Sequence, residues 1–239
     1  MNDVNITVAG VSICAYGGAV FWNATDGNIN NSVFNNNVVL GNVTNITTGN
    51  TEIPIDNVNA TITTVFISIN GGAIRWESTN GTLTNSKFTN NSANTNTSEG
   101  IDINSGGGAV VWNGINGTII NSTFNNSSVD GSGAAINWYA DNGTIIESNF
   151  TNNSGGIYWG GGNGKVIDSI FTNNHAGVGG AGVCWWANNG TINNSTFINN
   201  IANQWGGGVR WQGINGTITN SNFISNSANQ LGGGVYWNN

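Results

Sequence analysis

From Trp22 onward one spacing recurs: a tryptophan, a glycine five residues later, and a phenylalanine seven residues after that. It reads Trp22/Gly27/Phe34, Trp76/Gly81/Phe88, Trp112/Gly117/Phe124, Trp138/Gly143/Phe150, Trp159/Gly164/Phe171, Trp185/Gly190/Phe197 and Trp211/Gly216/Phe223, and Trp237 opens an eighth register. A unit this short cannot bury an apolar face by itself and must stack on its neighbours. The 239 residues are therefore expected to form one elongated domain, not a globular core.

Within each register the alternation defines the strands. Two residues before every Trp stands an aliphatic, from Val20 and Ile74 to Val235. Two before that stands a small residue: Gly18, Gly72, Gly108, Ala134, Gly155, Ala181, Gly207 or Gly233. This is the period of a strand with one inward face. The residue between the aliphatic and the Trp is chemically mixed (Phe21, Arg75, Val111, Asn137, Tyr158, Cys184, Arg210, Tyr236), as an outward column should be. Asp-Gly or Asn-Gly then marks a tight corner, since both residue types tolerate positive φ. An aliphatic follows (Ile29 to Ile218), then Ser two before each Phe. Aliphatic and Phe lie five apart, so a flat strand cannot point both inward, and a bend is expected at Asn31, Asn85, Asn121, Glu147, Asp168, Asn194 and Asn220. A third turn after the Phe returns the chain to the Gly run.

Three short strands and three corners in a coil of about 26 residues describe an all-β fold, a right-handed parallel β-helix. No stretch has the 3.6-residue period of a helical solenoid, and Gly is too frequent for one. Eight or more coils are expected, with ladders of Val/Ile, Trp, Ile, Ser and Phe inside and an Asn ladder at the bend. Seven rungs span roughly 34 Å at the ~4.8 Å strand spacing.

Two segments break the period, near 38–68 and 95–104, and both fall between the Phe and the next Gly run. The first contains the sole proline, Pro54, and is either a long loop or a degenerate extra coil. Both leave the same corner and should project side by side, where loops on a rigid scaffold carry recognition or are neutral additions. Cys14 and Cys184 are five or more rungs apart, too far for a disulfide.

Composition excludes more than it assigns. Arg75, Lys87, Lys165 and Arg210 are the only fixed cations and the net charge is −7, so nucleic acid is not an expected partner. No run of 18 apolar residues is present, and any membrane attachment is expected through regions outside this sequence. The start Met1-Asn2-Asp3-Val4-Asn5 lacks a signal pattern and the repeat stops mid-register. The chain is thus expected to be part of a longer protein, and an uncovered final coil would favour end-to-end self-association.

No nucleophile–base pair or metal-binding spacing is present, and no catalytic residue is assigned. His175 reads as a solvated turn residue. Glu147 and Asp168 occupy the same bend in consecutive coils, a candidate Ca²⁺ pair. The alternative is that both point into water, and no other cofactor is expected. The Trp column shares its parity with Val/Ile and reads as core. Sugar contacts are expected off the column, at Trp186, Trp205 and Tyr139, and at Tyr158 and Tyr236 on the outward face. An interrupted Thr column (Thr82, Thr118, Thr144, Thr191, Thr217) resembles an ice-binding ladder, but Thr favours strands in any case. Asn-x-Ser/Thr sequons such as Asn45, Asn80, Asn116, Asn142, Asn189 and Asn215 permit glycosylation.

Gly-Gly-Ala-[Val/Ile] at Gly17–Val20, Gly71–Ile74 and Gly107–Val110 alternates with Phe-x-x-Asn at Phe34–Asn37, Phe88–Asn91, Phe150–Asn153, Phe171–Asn174, Phe197–Asn200 and Phe223–Asn226. The pairing resembles the repeats of chlamydial polymorphic outer-membrane proteins. The Asn/Thr-rich, charge-poor style resembles adhesin-like surface proteins of methanogenic archaea, with a pectin-lyase-type β-helix. Ser127 departs from it, standing where Asn is expected after Phe124. The resemblance implies an extracellular location and attachment to cell-surface glycans or proteins, and supplies no residue-level binding motif. The leading expectation is a non-enzymatic surface adhesin or stalk. A polysaccharide lyase or hydrolase with an unrecognised site, and a pure spacer, are the alternatives.

Overall fold

The structure is a computed structural model that describes residues 4–8, 11–43, 53–55, 58–62, 65–97, 102–129 and 135–238. Three long parallel sheets run its length. The first has eight strands, from Val20–Trp22 to Val235–Trp237. The second has seven, from Asn28–Asn30 to Thr217–Thr219, and the third seven, from Val33–Asn35 to Asn222–Ile224. Equivalent positions pair without slippage: Trp22 on Trp76, Leu83 on Ile119, Phe88 on Phe124. The chain is a right-handed parallel β-helix.

Corner chemistry explains the winding. All 21 non-glycine residues with positive φ among the described residues lie at three corners per coil, five residues apart, with φ of 47–59°. In the first coil they are Asp26, Asn31 and Asn36. Asn and Asp tolerate this left-handed conformation best among residues with a side chain. In the Asn-Gly corners the asparagine alone takes it. The glycine is needed for room instead, because a Cβ on Gly81 or Gly164 would overlap the indole of Trp76 or Trp159 in its own coil. The expected bend between aliphatic and Phe is the second of these corners.

The core consists of stacked columns. Trp76, Trp112, Trp138, Trp159, Trp185 and Trp211 are fully buried, and neighbouring indoles stack at 4.6–5.1 Å between centroids. The Phe rings stack at 4.7–4.9 Å. The indole N–H groups of Trp76, Trp138, Trp159, Trp185 and Trp211 are buried without a partner, so burial and ring stacking hold this column. The Ser column is buried but satisfied. The Ser86 hydroxyl donates to the Thr84 carbonyl at 2.8 Å and accepts the Ser32 amide at 3.2 Å.

A second Asn ladder runs inside the helix, three residues after each Phe. Asn174 is fully buried; its Nδ2 donates to the Phe150 carbonyl (3.0 Å) and to Asn200 Oδ1 (2.9 Å). The Asn153 amide and side chain both donate to Asn174 Oδ1. Ser127 interrupts this ladder, and its buried hydroxyl has no partner.

The insertions widen one side of the coil without adding a rung. Trp22 pairs directly with Trp76, across the whole of the first insertion. Within the extra segments, Val38–Val43 pairs with Ser92–Thr97, and Val65–Asn70 lies between Val11–Tyr16 and Asp102–Gly106. The described ends of the first insertion are thus paired strands, and they lie beside those of the second. Ile53–Ile55 and Val58–Ile62 form an antiparallel pair there. The centres of both insertions, Ala134, Asn45 and the acids Glu52, Asp56, Glu99 and Asp130 lie outside the described residues. Cys14 sits on the Ser68 rung at the N-terminal end, and Cys184 is a free thiol on the sixth rung of the first sheet.

Later coils add a short fourth strand beyond the three expected, at His175–Ala176, Ile201–Ala202 and Ser227–Ala228. Isolated bridges Gly179–Trp205 and Trp205–Leu231 continue that side.

Candidate functional site

One coil is short. Equivalent corner asparagines Asn142 and Asn163 are 21 apart in sequence, whereas Asn163 and Asn189, and Asn189 and Asn215, are each 26 apart. The stretch from Trp to the inner-ladder residue is the same in every coil, as Trp138 to Asn153, Trp159 to Asn174 and Trp185 to Asn200 show. The shortening therefore falls on the fourth side. There the chain passes from buried Asn153 through exposed Ser154 straight into Gly155 and the next Trp strand. The following coil is full length, and its segment Ala176–Gly180 stands beside the shortened one as a wall.

The result is a groove of about 520 Å³. Its floor is Ser154, Gly155 and Gly156; one wall is Gly177, Val178 and Gly179; the other is the outward side chains Tyr158, Cys184, Trp186 and Arg210. Tyr158, Cys184, Arg210 and Tyr236 occupy one outward column on successive rungs of the first sheet. A second, polar trough of about 400 Å³ adjoins it and shares Ser154 and Gly177; Asn152, Asn173, His175 and Asn203 line it. His175 Nε2 lies 3.1 Å from Asn203 Oδ1.

All five expected sugar-contact residues fall along this face. Tyr158 and Trp186 line the groove. Trp205 joins through Arg210, whose guanidinium lies 4.6 Å from the Trp205 ring and 5.1 Å from the Trp186 ring. Tyr236 packs on Trp205 at 6.2 Å, and Tyr139 on Tyr158 at 5.9 Å. Tyr139 folds back over the outward column because Asn137 Nδ2 donates to its hydroxyl at 2.8 Å. Burial raises the Tyr139 and Tyr158 phenols above their ordinary value, so both remain hydrogen-bond donors at neutral pH. Burial also pushes the Cys184 thiol up, against the opposing effects of Trp186 and Arg210.

The sequence does not single out Arg210, which is one member of a mixed column. The groove itself is signalled there by the single short interval between Trp138 and Trp159.

Glu147 and Asp168 occupy successive rungs of the second corner, and neither lines the groove. Both are exposed, and Asp168 Oδ1 accepts from Asn194 at 2.5 Å. No third His, Cys, Asp or Glu among the described residues joins them. The corner sequons Asn80, Asn116, Asn142, Asn189 and Asn215 belong to an exposed ladder in which each amide nitrogen donates to the preceding rung. Glycans on successive rungs would therefore be crowded at ~4.8 Å spacing.

Comparison with protein-family models, with characterised proteins and with solved structures finds no match to this chain.

Proposed function

We propose that this chain is a glycan-binding segment of an extracellular surface protein, a rigid β-helical rod that attaches without chemistry on its ligand. The observation that carries this reading is the aromatic groove above the short coil. Tyr158 and Trp186 line a cleft whose floor is backbone and small residues. A sugar ring offers apolar C–H faces and a hydroxyl rim, and such a wall with a polar trough beside it matches both. Among the described residues the groove lining carries no carboxylate or imidazole and offers apolar and hydrogen-bonding contact.

The extracellular assignment rests on the charge-poor, Asn- and Thr-rich repeat and its adhesin-like style. The rod suits a surface role because its inner columns leave little freedom for the outward face to deform.

The test is an immobilised glycan array probed with the soluble segment, followed by analysis of the supernatant. Binding without released product, lost in a folded Trp186→Ala variant, is the expected result. Binding to no saccharide, or release of shortened product, would overturn the reading.

A further inference from the structure

We propose that the groove selects acidic sugars, with Arg210 as the residue that reads a carboxylate on the sugar ring. This deepens the glycan-binding reading above and rests on it. Four fixed cations exist in the chain against a net charge of −7. Arg75 is paired with Glu77, which also accepts from Asn113. Lys87 and Lys165 are exposed on the third and second sheets. Arg210 alone enters the groove.

Its surroundings are those of a cation held ready for a ligand. The guanidinium lies near the faces of Trp186 and Trp205, and its Nε is buried without a partner. The ion pair Arg75–Glu77 is the only one among the described residues, so no acid neutralises Arg210 within them. Neighbouring indoles compensate a cation only in part. An indole offers no acceptor in the plane of the guanidinium, where its five donors lie. With Nε buried, the donors left for a ligand are those of the two Nη groups, and the partner that fits their pair of parallel N–H bonds is a planar carboxylate.

The rest of the cleft matches the sugar that would carry it. Tyr158 and the half-exposed Trp186 supply aromatic surface beside Arg210. Ser154 leads into the trough of Asn152, Asn173, His175 and Asn203, which offers amide, hydroxyl and imidazole partners to ring hydroxyls of a neighbouring unit. A uronic-acid residue in an oligosaccharide has both features.

The experiment is a paired titration, by calorimetry and tryptophan fluorescence, of the whole chain with uronate-containing oligosaccharides and with the same oligosaccharides after reduction of the carboxyl to hydroxymethyl. The native chain is expected to bind the acidic form about tenfold or more tightly, which corresponds to one added charge-assisted contact. Added salt should narrow that ratio. In Arg210→Gln the ratio should fall to about one while affinity for the reduced sugar persists; Arg210→Lys should recover part of the preference. Equal affinity of the native chain for both forms would overturn acidic selection and leave glycan binding standing. Binding of neither form would overturn both readings.

A second variant keeps the test decisive if Arg210→Gln fails to fold. A Cβ on Gly177 would meet nothing within 4 Å, so Gly177→Trp fills the groove from the opposite wall and spares the core. It should lose both ligands with an unchanged melting temperature. Undiminished acidic binding by that variant would place the carboxylate elsewhere and sink the proposal.

Discussion

The coil from Trp22 to Trp76 and the coil from Trp138 to Trp159 break the period in opposite directions. Inner-ladder residues on facing rungs are 54 apart in sequence in the first (Asn37 and Asn91) and 21 apart in the second (Asn153 and Asn174). Both changes fall after the inner-ladder residue and before the Gly run. The stretch from Trp to that residue is identical in length in both, Trp22 to Asn37 and Trp138 to Asn153, as in every other coil. The difference separates a part that tolerates no length change from a part that tolerates nearly any. Trp, Ile, Ser, Phe and Asn each stack on their own kind, so one residue added among them would turn the side chains that follow it in that coil to the wrong face. The fourth side carries six-residue pairings in the early coils and two-residue pairings and turns in the later ones, and its length is free. Adding residues there extends sheets outward; removing a few opens a groove. The candidate site thus comes from subtraction, and it costs the core nothing because the three long sheets continue through it.

The comparison can be broken directly. One residue inserted between Ile192 and Phe197 should abolish the cooperative urea transition, whereas deletion of residues 201–205 from the fourth side of that coil should leave it cooperative. Equal tolerance of both would mean the columns do not set the register. Next in size is the stacked core. Trp159→Ala removes a fully buried indole between two others and should lower stability by about 3–5 kcal/mol in chemical denaturation. A loss below ~1 kcal/mol would mean the column is dispensable.

A smaller and opposite effect is expected at the flaw in the inner ladder. Ser127→Asn should supply the carbonyl and amide partners that its equivalents have and relieve a buried, unpaired hydroxyl, with a gain of about 1 kcal/mol. A loss would show that this rung has adjusted to the smaller residue.

The smallest effect lies on the groove face and is a pH dependence. The folded thiol of Cys184 is raised above its ordinary 9.0 by burial. Below that pH both states keep the proton and stability is unaffected. As pH rises through 9.0 the unfolded chain releases the proton first, so stability falls. Melting between pH 7 and 10 should therefore drop less in Cys184→Ser than in the native chain, and an identical drop would remove Cys184 from the cause.

Much of this is legible in the chain because repetition makes inward positions redundant. Each of Ile74, Trp76, Leu83 and Phe88 is stated seven or eight times over by its equivalents, so parity alone identifies the core. The corners are legible as Asn and Asp, but not why glycine follows them; that reason is the tryptophan five residues earlier folding back onto the glycine Cα. Trp186, Trp205, Tyr139, Tyr158 and Tyr236 stand out as aromatics off the core column. Their convergence does not, since Trp205 and Tyr236 belong to different coils and become neighbours only through the winding. Arg210 is hidden for a related reason: an outward column of mixed residues has no period to read.

What the chain order determined alone is therefore the coil: its length, its inward faces and its bends, all local consequences of side-chain alternation and left-handed Asn. What only the tertiary structure decided is the groove and its cation. Those depend on a short turn lying beside a long one in the next rung, a relation between coils that no single repeat contains.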